Sequence, residues 1–368
     1  MSLRRTALVS AAILGMALPR VASAEVVIGV AGPMSGNLQV LGDEMRAGAE
    51  AAVADINAAG GVAGQQLRLE VVDDGCDAKT ADAVANQLAG AGAAMVAGHL
   101  CLTASLAAAS VYAGKSIVQI SPGTTFPKFT DERAGPGTLR VAGRDDQHPA
   151  VAAPLLVNSF VGAKVAFVDD KSPYGKGLAD AVRQAFNDAG GREALTQEID
   201  PGAKDYGELV SILNAAGIGV VYFGGSWPEA ALIARGMKDQ AMTATLVGGD
   251  ALANDEYAKL AGNAADGTLF TFMPDPRNDP ANAALVKAFR DRGVEPDGYV
   301  LYTYAAVQAW ADAANAAGSV DFDKVVAALG KGTYPTALGP TAFDYKGDIT
   351  TPGFVVYEWR DGKYAYRK

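Results

Sequence analysis

The sequence has few of the side chains that usually carry acid–base or nucleophilic chemistry. Its 368 residues include two histidines, His99 and His148, and two cysteines, Cys76 and Cys101, and no G-x-S-x-G motif occurs. A hydrolase would therefore need one of these two imidazoles as its base. Zinc needs three or four ligands at suitable spacing, and these four side chains do not offer it. We expect neither a catalytic residue nor a metal site.

The sequence also lacks the marks of dinucleotide enzymes, integral membrane proteins and nucleic-acid-binding proteins. The glycine-rich stretch 32–43 (GPMSGNLQVLGD) holds no G-x-G-x-x-G, so no cofactor is expected. Beyond residue 24, no apolar run approaches the ~20 residues of a spanning helix. Acidic residues outnumber basic ones by 41 to 31, which gives a net charge of −10. Such an acidic surface disfavours nucleic acids and anionic membranes as partners.

The first 24 residues have the anatomy of a secretory signal peptide. Two arginines (4–5) precede an uncharged apolar run (7–18), and small residues (22–24, ASA) form a cleavage site. The apolar run is too short to cross a bilayer, so export is favoured over membrane anchoring. We expect cleavage after Ala24 and an exported mature chain.

Export changes what the cysteine pair means. In an oxidising compartment two cysteines usually form a disulfide, and Cys76 and Cys101 are the only candidates. The bond would close a loop of about 25 residues, for which chain entropy gives a stabilisation of about 3.5 kcal/mol. A thiolate nucleophile beside His99 and half of a metal site are the alternatives for the stretch 97–106 (AGHLCLTASL).

Short β-rich runs alternate with alanine-rich amphipathic runs, which is the pattern of an α/β fold with parallel sheets. The alternation starts at residue 26 and restarts at residue 164. We predict strands at 26–31, 67–74, 93–99, 116–121, 164–170, 219–225, 244–250 and 267–272, and helices at 41–59, 79–90, 103–114 and 174–191.

The restart predicts two doubly wound parallel-sheet lobes joined by a multi-strand hinge. INAAGG (56–61) and FNDAGG (186–191) both end the first long helix of their half. The segment 281–345 is mostly helical and should pack on the first lobe, whereas a last strand at 353–359 can return to the second. Hinge closure on a ligand is the natural motion of such a molecule. We predict lobe 1 from residues 25–144 and 275–350, and lobe 2 from residues 145–274 and 351–368.

In open parallel sheets, ligands bind beyond the carboxyl ends of the strands. Thr103 follows one predicted strand and starts a helix, where exposed N–H groups favour an anion unless Thr103 only caps that helix. Gly123 and Thr125 follow the next strand in ISPGTTF (120–126). That turn offers backbone and hydroxyl groups to a ligand, although a turn without a ligand role remains the alternative.

Two stretches of the second lobe lie at equivalent places. Tyr174 in DDKSPYGKG (169–177) follows an N-cap serine and a first-turn proline, and an exposed aromatic there is a platform for a cation. Asp250 in VGGDALAN (247–254) lies just past a strand. It either pairs with an ammonium group or caps a helix.

The motifs at these positions resemble those of the branched-chain amino-acid-binding proteins of bacterial ABC transporters, the Leu/Ile/Val-binding family with the type I periplasmic binding fold. The resemblance extends over essentially the whole mature chain. It implies that Cys76 and Cys101 form the family's disulfide. The motifs that carry it are GPMSG (32–36), DDGCD (73–77), GHLC (98–101), SPGTT (121–125), DKSPYGKG (170–177) and LGPTAFDYKGD (338–348).

The resemblance also implies roles for residues of the interlobe cleft. Thr125 falls on the family's carboxylate-binding threonine, and Gly123 falls where a backbone carbonyl accepts from the ligand's ammonium group. Tyr174 matches the tyrosine of the second lobe. Asp250 falls on the acidic residue that pairs with the ammonium, and Tyr299 falls near an aromatic side chain of the pocket.

Several positions depart from the family pattern. Leu102 stands in place of a serine, so one carboxylate contact is lost unless Thr103 replaces it. Leu41 and Ser226 stand where tyrosines are usual, and Trp227 follows Ser226. These changes are compatible with a bulkier or aromatic ligand.

The function implied by the resemblance is that of a periplasmic solute-binding protein without catalysis. It would capture an amino acid, branched-chain or otherwise apolar or aromatic, and deliver it to the membrane permease of an ABC transporter. The alternatives are binding of an aromatic carboxylic acid and a ligand-sensing module that feeds a receptor. We expect a monomer that does not insert into the membrane.

We predict that the purified mature protein has no free thiol. Thiol titration of the unreduced, denatured protein is the measurement, and two titratable thiols would contradict the disulfide. Reduction should lower the free energy of unfolding by about 3.5 kcal/mol, because the unfolded chain regains the entropy of the opened loop.

Overall fold

The structure is a computed structural model that describes residues 25–350 and 353–367. The predicted signal peptide and its cleavage site after Ala24 lie outside these residues. No helix among the described residues is long and apolar enough to span a membrane.

The first sheet has five strands that all run parallel. They are β1 (Val26–Gly32), β2 (Leu67–Asp73), β3 (Ala93–Gly98), β4 (Val118–Ser121) and β5 (Thr138–Arg140). Their order is β2-β1-β3-β4-β5. The helices of this part of the chain are α1 (Gln39–Ala58), α2 (Ala78–Gly90), α3 (Leu102–Gly114) and the short α4 (Lys128–Asp131).

The second sheet repeats this order and then extends it. Its parallel strands are β6 (Val165–Asp169), β7 (Glu193–Glu198), β8 (Val220–Gly224), β9 (Thr245–Gly248) and β10 (Leu269–Phe272), in the order β7-β6-β8-β9-β10. The helices between and beside these strands are α5 (His148–Ser159), α6 (Pro173–Asp188), α7 (Gly207–Ala215), α8 (Trp227–Asp239) and α9 (Asp255–Ala261).

The C-terminal part of the chain contributes to both lobes. It contains α10 (Ala283–Asp291), α11 (Val300–Ala317), α12 (Phe322–Leu329), a hairpin of β11 (Tyr334–Thr336) and β12 (Gly339–Thr341), and the strands β13 (Val355–Arg360) and β14 (Lys363–Tyr366). Helix α11 packs on α1, β3 and β4 of the first lobe, as predicted for this segment. Strand β13 pairs with β10, as predicted for the last strand.

The prediction of two doubly wound α/β lobes is confirmed, with two differences in the sheets. Strands β13 and β14 are antiparallel to their neighbours, so the second sheet is mixed at one edge. Strands β5 and β7 were not predicted. Strand β5 has only three residues, and β7 is an edge strand in which no residue is fully buried.

The chain passes between the lobes near β5, after β10 and before β13. The Gly143 amide donates to Met273 Sδ at 2.8 Å, which joins two of these passages. The fully buried Arg140 forms an ion pair with Asp348. This pair joins the passage near β5 to the passage before β13. The passages therefore form a multi-strand hinge, as the sequence predicted. The lobe boundaries at 144/145, 274/275 and 350/351 stay predictions.

Helices α1 and α11 approach each other closely at Gly48, and we predict that Gly48→Ala destabilises the protein. An added Cβ would lie 2.1 Å from the Val300 carbonyl oxygen and 3.1 Å from Thr303 Cβ, so the backbones must move apart. Overpacking of this kind costs about 1–3 kcal/mol. Denaturant unfolding of the variant and the unchanged protein measures the difference in the free energy of unfolding.

The matched control is Gly90→Ala at the end of α2, where an added Cβ meets no atom within 4 Å among the described residues. That change should leave the free energy of unfolding unchanged or raise it by up to about 1 kcal/mol, because alanine restricts the unfolded chain. Equal effects of the two substitutions would contradict the packing argument.

Candidate functional site

A cavity of about 270 Å³ lies between the lobes. Each group of residues around it follows the carboxyl end of a parallel strand or lies near the start of α11, as expected for doubly wound sheets. The lining residues are Leu38, Leu41, Cys76, Leu100, Cys101, Leu102, Thr103, Gly123, Thr124, Thr125, Phe126, Asp145, Ser172, Pro173, Tyr174, Ser226, Trp227, Asp250, Ala251 and Tyr299.

The structure brings together every residue that the sequence nominated for this site. The ten nominated positions all line the cavity, and their individual roles toward a ligand stay predictions. They are Leu41, Leu102, Thr103, Gly123, Thr125, Tyr174, Ser226, Trp227, Asp250 and Tyr299.

The turn after β4 is shaped by Ser121. Its hydroxyl donates to the His99 carbonyl at 2.6 Å and accepts from the Thr124 amide at 2.8 Å. The Thr124 hydroxyl is used inside the protein, where it donates to the Leu100 carbonyl at 3.0 Å. Thr125 follows in the same turn and lines the cavity, and its carbonyl accepts from the Asp145 amide at 2.8 Å.

The start of α3 is fixed by the disulfide. Cys76 and Cys101 are bonded, so the disulfide prediction is confirmed and the thiolate and metal alternatives are wrong. Cys101 is the N-cap residue of α3 and Leu102 its first residue, with no side-chain cap. The alternative that Thr103 only caps its helix is therefore wrong, and Thr103 lines the cavity in the first turn.

His99 has a structural role. It is fully buried, and Nδ1 lies 2.5 Å from Asp74 Oδ2 while Nε2 lies 3.0 Å from the Tyr112 hydroxyl. Both ring nitrogens are thus engaged beneath the disulfide loop. Among the described residues, no group of three or more histidine, cysteine, aspartate or glutamate side chains is placed to hold a metal ion.

The wall from the second lobe is built around Asp250. Ser172 caps α6 by accepting from the Gly175 amide, and Pro173 is the first residue of this helix, as predicted. That geometry directs the Tyr174 hydroxyl to Asp250 Oδ1, to which it donates at 2.6 Å. Tyr299 from the first lobe donates to Asp250 Oδ2 at 3.3 Å, so Asp250 joins the lobes.

For this wall, one alternative is excluded and one expectation is corrected. Asp250 does not cap a following helix, because Asn254 is the N-cap residue of α9 and accepts from the Glu256 amide. Tyr174 is half-buried and not an exposed platform, since it packs behind the carboxylate to which it donates. Burial, and then the charge of Asp250, raise the pKa of Tyr174 well above its usual value.

Two carboxylates of the cleft differ in their affinity for protons. Burial acts to raise the pKa of Asp250, but His148 and the hydrogen bond from Tyr174 outweigh it and leave the pKa below the usual range. For Asp145, burial raises the pKa to about 6; the nearby His148 opposes this shift, and repulsion from Asp250 adds to it. At neutral pH Asp250 is therefore firmly ionised, whereas Asp145 takes up a proton as the pH falls toward 6.

Asp145 and His148 were not nominated from the sequence as site residues. Asp145 lines the cavity, and His148 Nε2 lies 3.5 Å from Asp250 Oδ1 and 4.0 Å from Asp145 Oδ1. They follow β5, which was missed because it has only three residues. Had β5 been recognised, GRDDQH (143–148) would have lain at a strand's carboxyl end, where the rule used for the other stretches applies.

The chain matches the family described as "Periplasmic binding protein" over residues 25–363. It is 45% identical over 347 residues to the Leu/Ile/Val-binding protein homolog 1 of Brucella melitensis, and the match covers 93% of each chain. The chain belongs to the periplasmic binding protein family. Its members are extracytoplasmic solute-binding proteins and not enzymes, as the sequence predicted.

Solved structures of this family share the fold. One is the branched-chain amino acid transporter substrate-binding protein LivJ of Streptococcus pneumoniae in complex with isoleucine, with a TM-score of 0.85, 22% identity, and coverage of 93% of this chain and 98% of that one. Another is a solute-binding protein of an ABC transporter from R. palustris in complex with benzoate, with a TM-score of 0.83, 19% identity, and coverage of 93% and 95%. At these identities the likeness establishes the type I fold alone.

Proposed function

We propose that this periplasmic solute-binding protein captures an α-amino acid with an apolar or aromatic side chain and delivers it to the permease of an ABC transporter. The observation that carries the proposal is the charge of the cleft. Asp250 is 4% exposed and ionised, Asp145 lies nearby, and no lysine or arginine is among the described residues that line the cavity. Such a site favours a ligand that brings its own positive charge.

The ammonium group of an amino acid provides that charge. An unpaired buried carboxylate is costly, and a desolvated ion pair with an ammonium offsets the cost. Tyr174 and Tyr299 hold one oxygen each of the Asp250 carboxylate, so its orientation is set before a ligand arrives. The Gly123 carbonyl is a further acceptor for the ammonium group.

The first lobe offers neutral groups for the ligand's carboxylate. Thr125 on the turn after β4 and Thr103 in the first turn of α3 both line the cavity. The amide groups at a helix start carry a partial positive charge that favours an anion. We infer that Thr103 replaces the contact that is lost at Leu102.

The rest of the cavity suits an apolar side chain. Leu41, Leu102, Phe126 and Trp227 lie around it, together with Leu100. Aliphatic and aromatic walls of this kind bind by burying apolar surface. A pocket of about 270 Å³ has room for a side chain of the size of leucine or phenylalanine.

An aromatic carboxylic acid is the second candidate, since Phe126 and Trp227 offer aromatic surface and the related R. palustris protein holds benzoate. The two carboxylates of the cleft count against it, because such a ligand adds a third negative charge without an ammonium group. Affinity for the amino acid therefore depends on Asp250, whereas affinity for an amine-free acid does not.

The family, the proposed cleavage after Ala24 and the likeness to ABC-transporter proteins support a periplasmic location and a permease partner. A sensory module that presents its ligand to a receptor is the alternative partner. That the protein is a monomer remains a prediction.

Asp250→Asn should weaken binding of an α-amino acid by about 2–4 kcal/mol, because a desolvated ion pair loses one charge. Thr125→Ala should cost about 1–3 kcal/mol, since other donors still hold the carboxylate. Calorimetry with the tightest amino acid found by thermal-shift screening measures both values. Asp239→Asn, which changes an exposed carboxylate at the end of α8, is the matched control and should bind as the unchanged protein does.

The same variants separate the two ligand classes. Toward benzoate, Asp250→Asn should be neutral or favourable while Thr125→Ala still weakens binding. Full affinity of Asp250→Asn for an α-amino acid would remove the ammonium assignment and the main support for this ligand class.

The lobes should close on the ligand, because residues from both of them surround the cavity and a multi-strand hinge allows rotation. Small-angle scattering should therefore give a smaller radius of gyration on adding the ligand. The Asp250→Asn variant at the same ligand concentration is the control for non-specific effects. An unchanged profile at saturation would show that the hinge does not close.

A further inference from the structure

The imidazole of His148 lies directly behind the carboxylates of the cleft, and the proposed function does not use it. His148 is fully buried at the start of α5. Its Nε2 atom lies 3.5 Å from Asp250 Oδ1 and 4.0 Å from Asp145 Oδ1 and forms no hydrogen bond within the described residues. A titratable group thus faces both acids of the site from the side opposite the ligand.

The ring of His148 is held in place by two groups. Nδ1 lies 2.6 Å from the Thr271 hydroxyl on β10, and the Phe354 ring lies at 3.7 Å between centroids. Two carboxylates repel a nitrogen lone pair, so Nε2 carries a proton. The Thr271 hydroxyl can donate to Nδ1 or accept from it, and its oxygen lies 3.5 Å from the Gly248 carbonyl. The same geometry therefore accommodates a neutral and a protonated ring.

The other charged groups near α5 are engaged elsewhere. Helix α6 contributes Tyr174, which donates to Asp250, and strand β10 carries no titratable side chain. On β13, Tyr357 donates to the Met273 carbonyl and Glu358 pairs with Arg360. Lys176, Asp180 and Arg183 of α6 form surface ion pairs, and Asp188 accepts from the Gln184 side chain. In the turn before α5, Asp146 pairs with Arg144.

We propose that His148 is a positioning residue whose proton is exchanged for the ammonium group of the ligand. In the empty cleft, a protonated ring balances the charge of Asp250 and Asp145 from behind. When an ammonium group binds the same carboxylates from the front, the second positive charge in the buried cluster is repelled, and the ring releases its proton to solvent. The proposal rests on the proposed capture of an amino acid.

The direction of the pH dependence follows from this exchange. Ligand binding releases a proton, so affinity for an amino acid rises with pH through the range in which histidine titrates, roughly pH 5 to 8. Asp145 contributes in the same direction, since its raised pKa falls when an ammonium group approaches. A coupling of one pKa unit corresponds to about a tenfold change in affinity.

The first experiment follows the imidazole directly. The chain has two histidines, so NMR of the untagged protein shows two ring systems, and the signal that His148→Gln removes belongs to His148. Saturating L-leucine should lower the pH at which His148 loses its proton, while His99, engaged by Asp74 and Tyr112, should not respond. An unchanged His148 titration in the presence of bound L-leucine overturns the proposal.

The second experiment measures affinity. Calorimetry with L-leucine at pH 5.5 and pH 8, in buffers of different ionisation enthalpy, counts the protons released. The unchanged protein should bind about tenfold more weakly at pH 5.5. His148→Gln keeps a donor but cannot carry charge, so it should bind comparably at pH 8 and lose part of the pH dependence. Asp145→Asn should lose the part of the pH dependence that comes from the Asp145 carboxyl group.

These outcomes separate the proposal from the proposed function. Tight L-leucine binding with a pH dependence that is identical in His148→Gln overturns the role of His148 and leaves the amino-acid site standing. No binding of L-leucine at either pH, with benzoate bound instead, overturns the amino-acid site and the proton exchange together. Weaker binding of His148→Gln by the same factor at both pH values shows a packing role only and also overturns the exchange.

Discussion

The buried, ionised carboxylate of Asp250 is the constraint around which the cleft is organised. Removing such a charge from water is costly, and it persists only where donors or cations are placed around it. Tyr174 from the second lobe and Tyr299 from the first supply two donors, and His148 approaches from behind at 3.5 Å. Since these groups come from both lobes, the electrostatics of one side chain and the relative position of the lobes are coupled.

The repeated sheet order makes this convergence possible. Strands β2-β1-β3-β4-β5 and β7-β6-β8-β9-β10 have the same arrangement, so the loops at the carboxyl ends of both sheets meet at one cleft. The first lobe contributes hydroxyls and a helix start, which suit an anion, and the second contributes a carboxylate, which suits a cation. A zwitterion bound between them has each end matched to a different lobe, and closure strengthens both interactions as water leaves.

Much of this architecture could be predicted from the sequence, because glycine-rich turns and alternating patterns are local signals. The strand ends before Thr125, Tyr174 and Asp250 were recognisable in this way. The partners of Asp250 were not, since Tyr174 lies 76 residues away and Tyr299 lies 49 residues away. Asp145 and His148 were missed because β5 is too short to show a period, and the antiparallel edge at β13 depends on a chain return that no local pattern encodes.

The two acids of the cleft differ in a way that suits a single ammonium group. Asp250 stays ionised at neutral pH, whereas burial and the charge of Asp250 raise the pKa of Asp145 to about 6. The charge of Asp250 is therefore fixed at neutral pH, whereas Asp145 takes up a proton more readily. As the pH falls toward 6, Asp145 takes up a proton and the cleft loses part of the charge that attracts an ammonium group, whereas Asp250 keeps its charge.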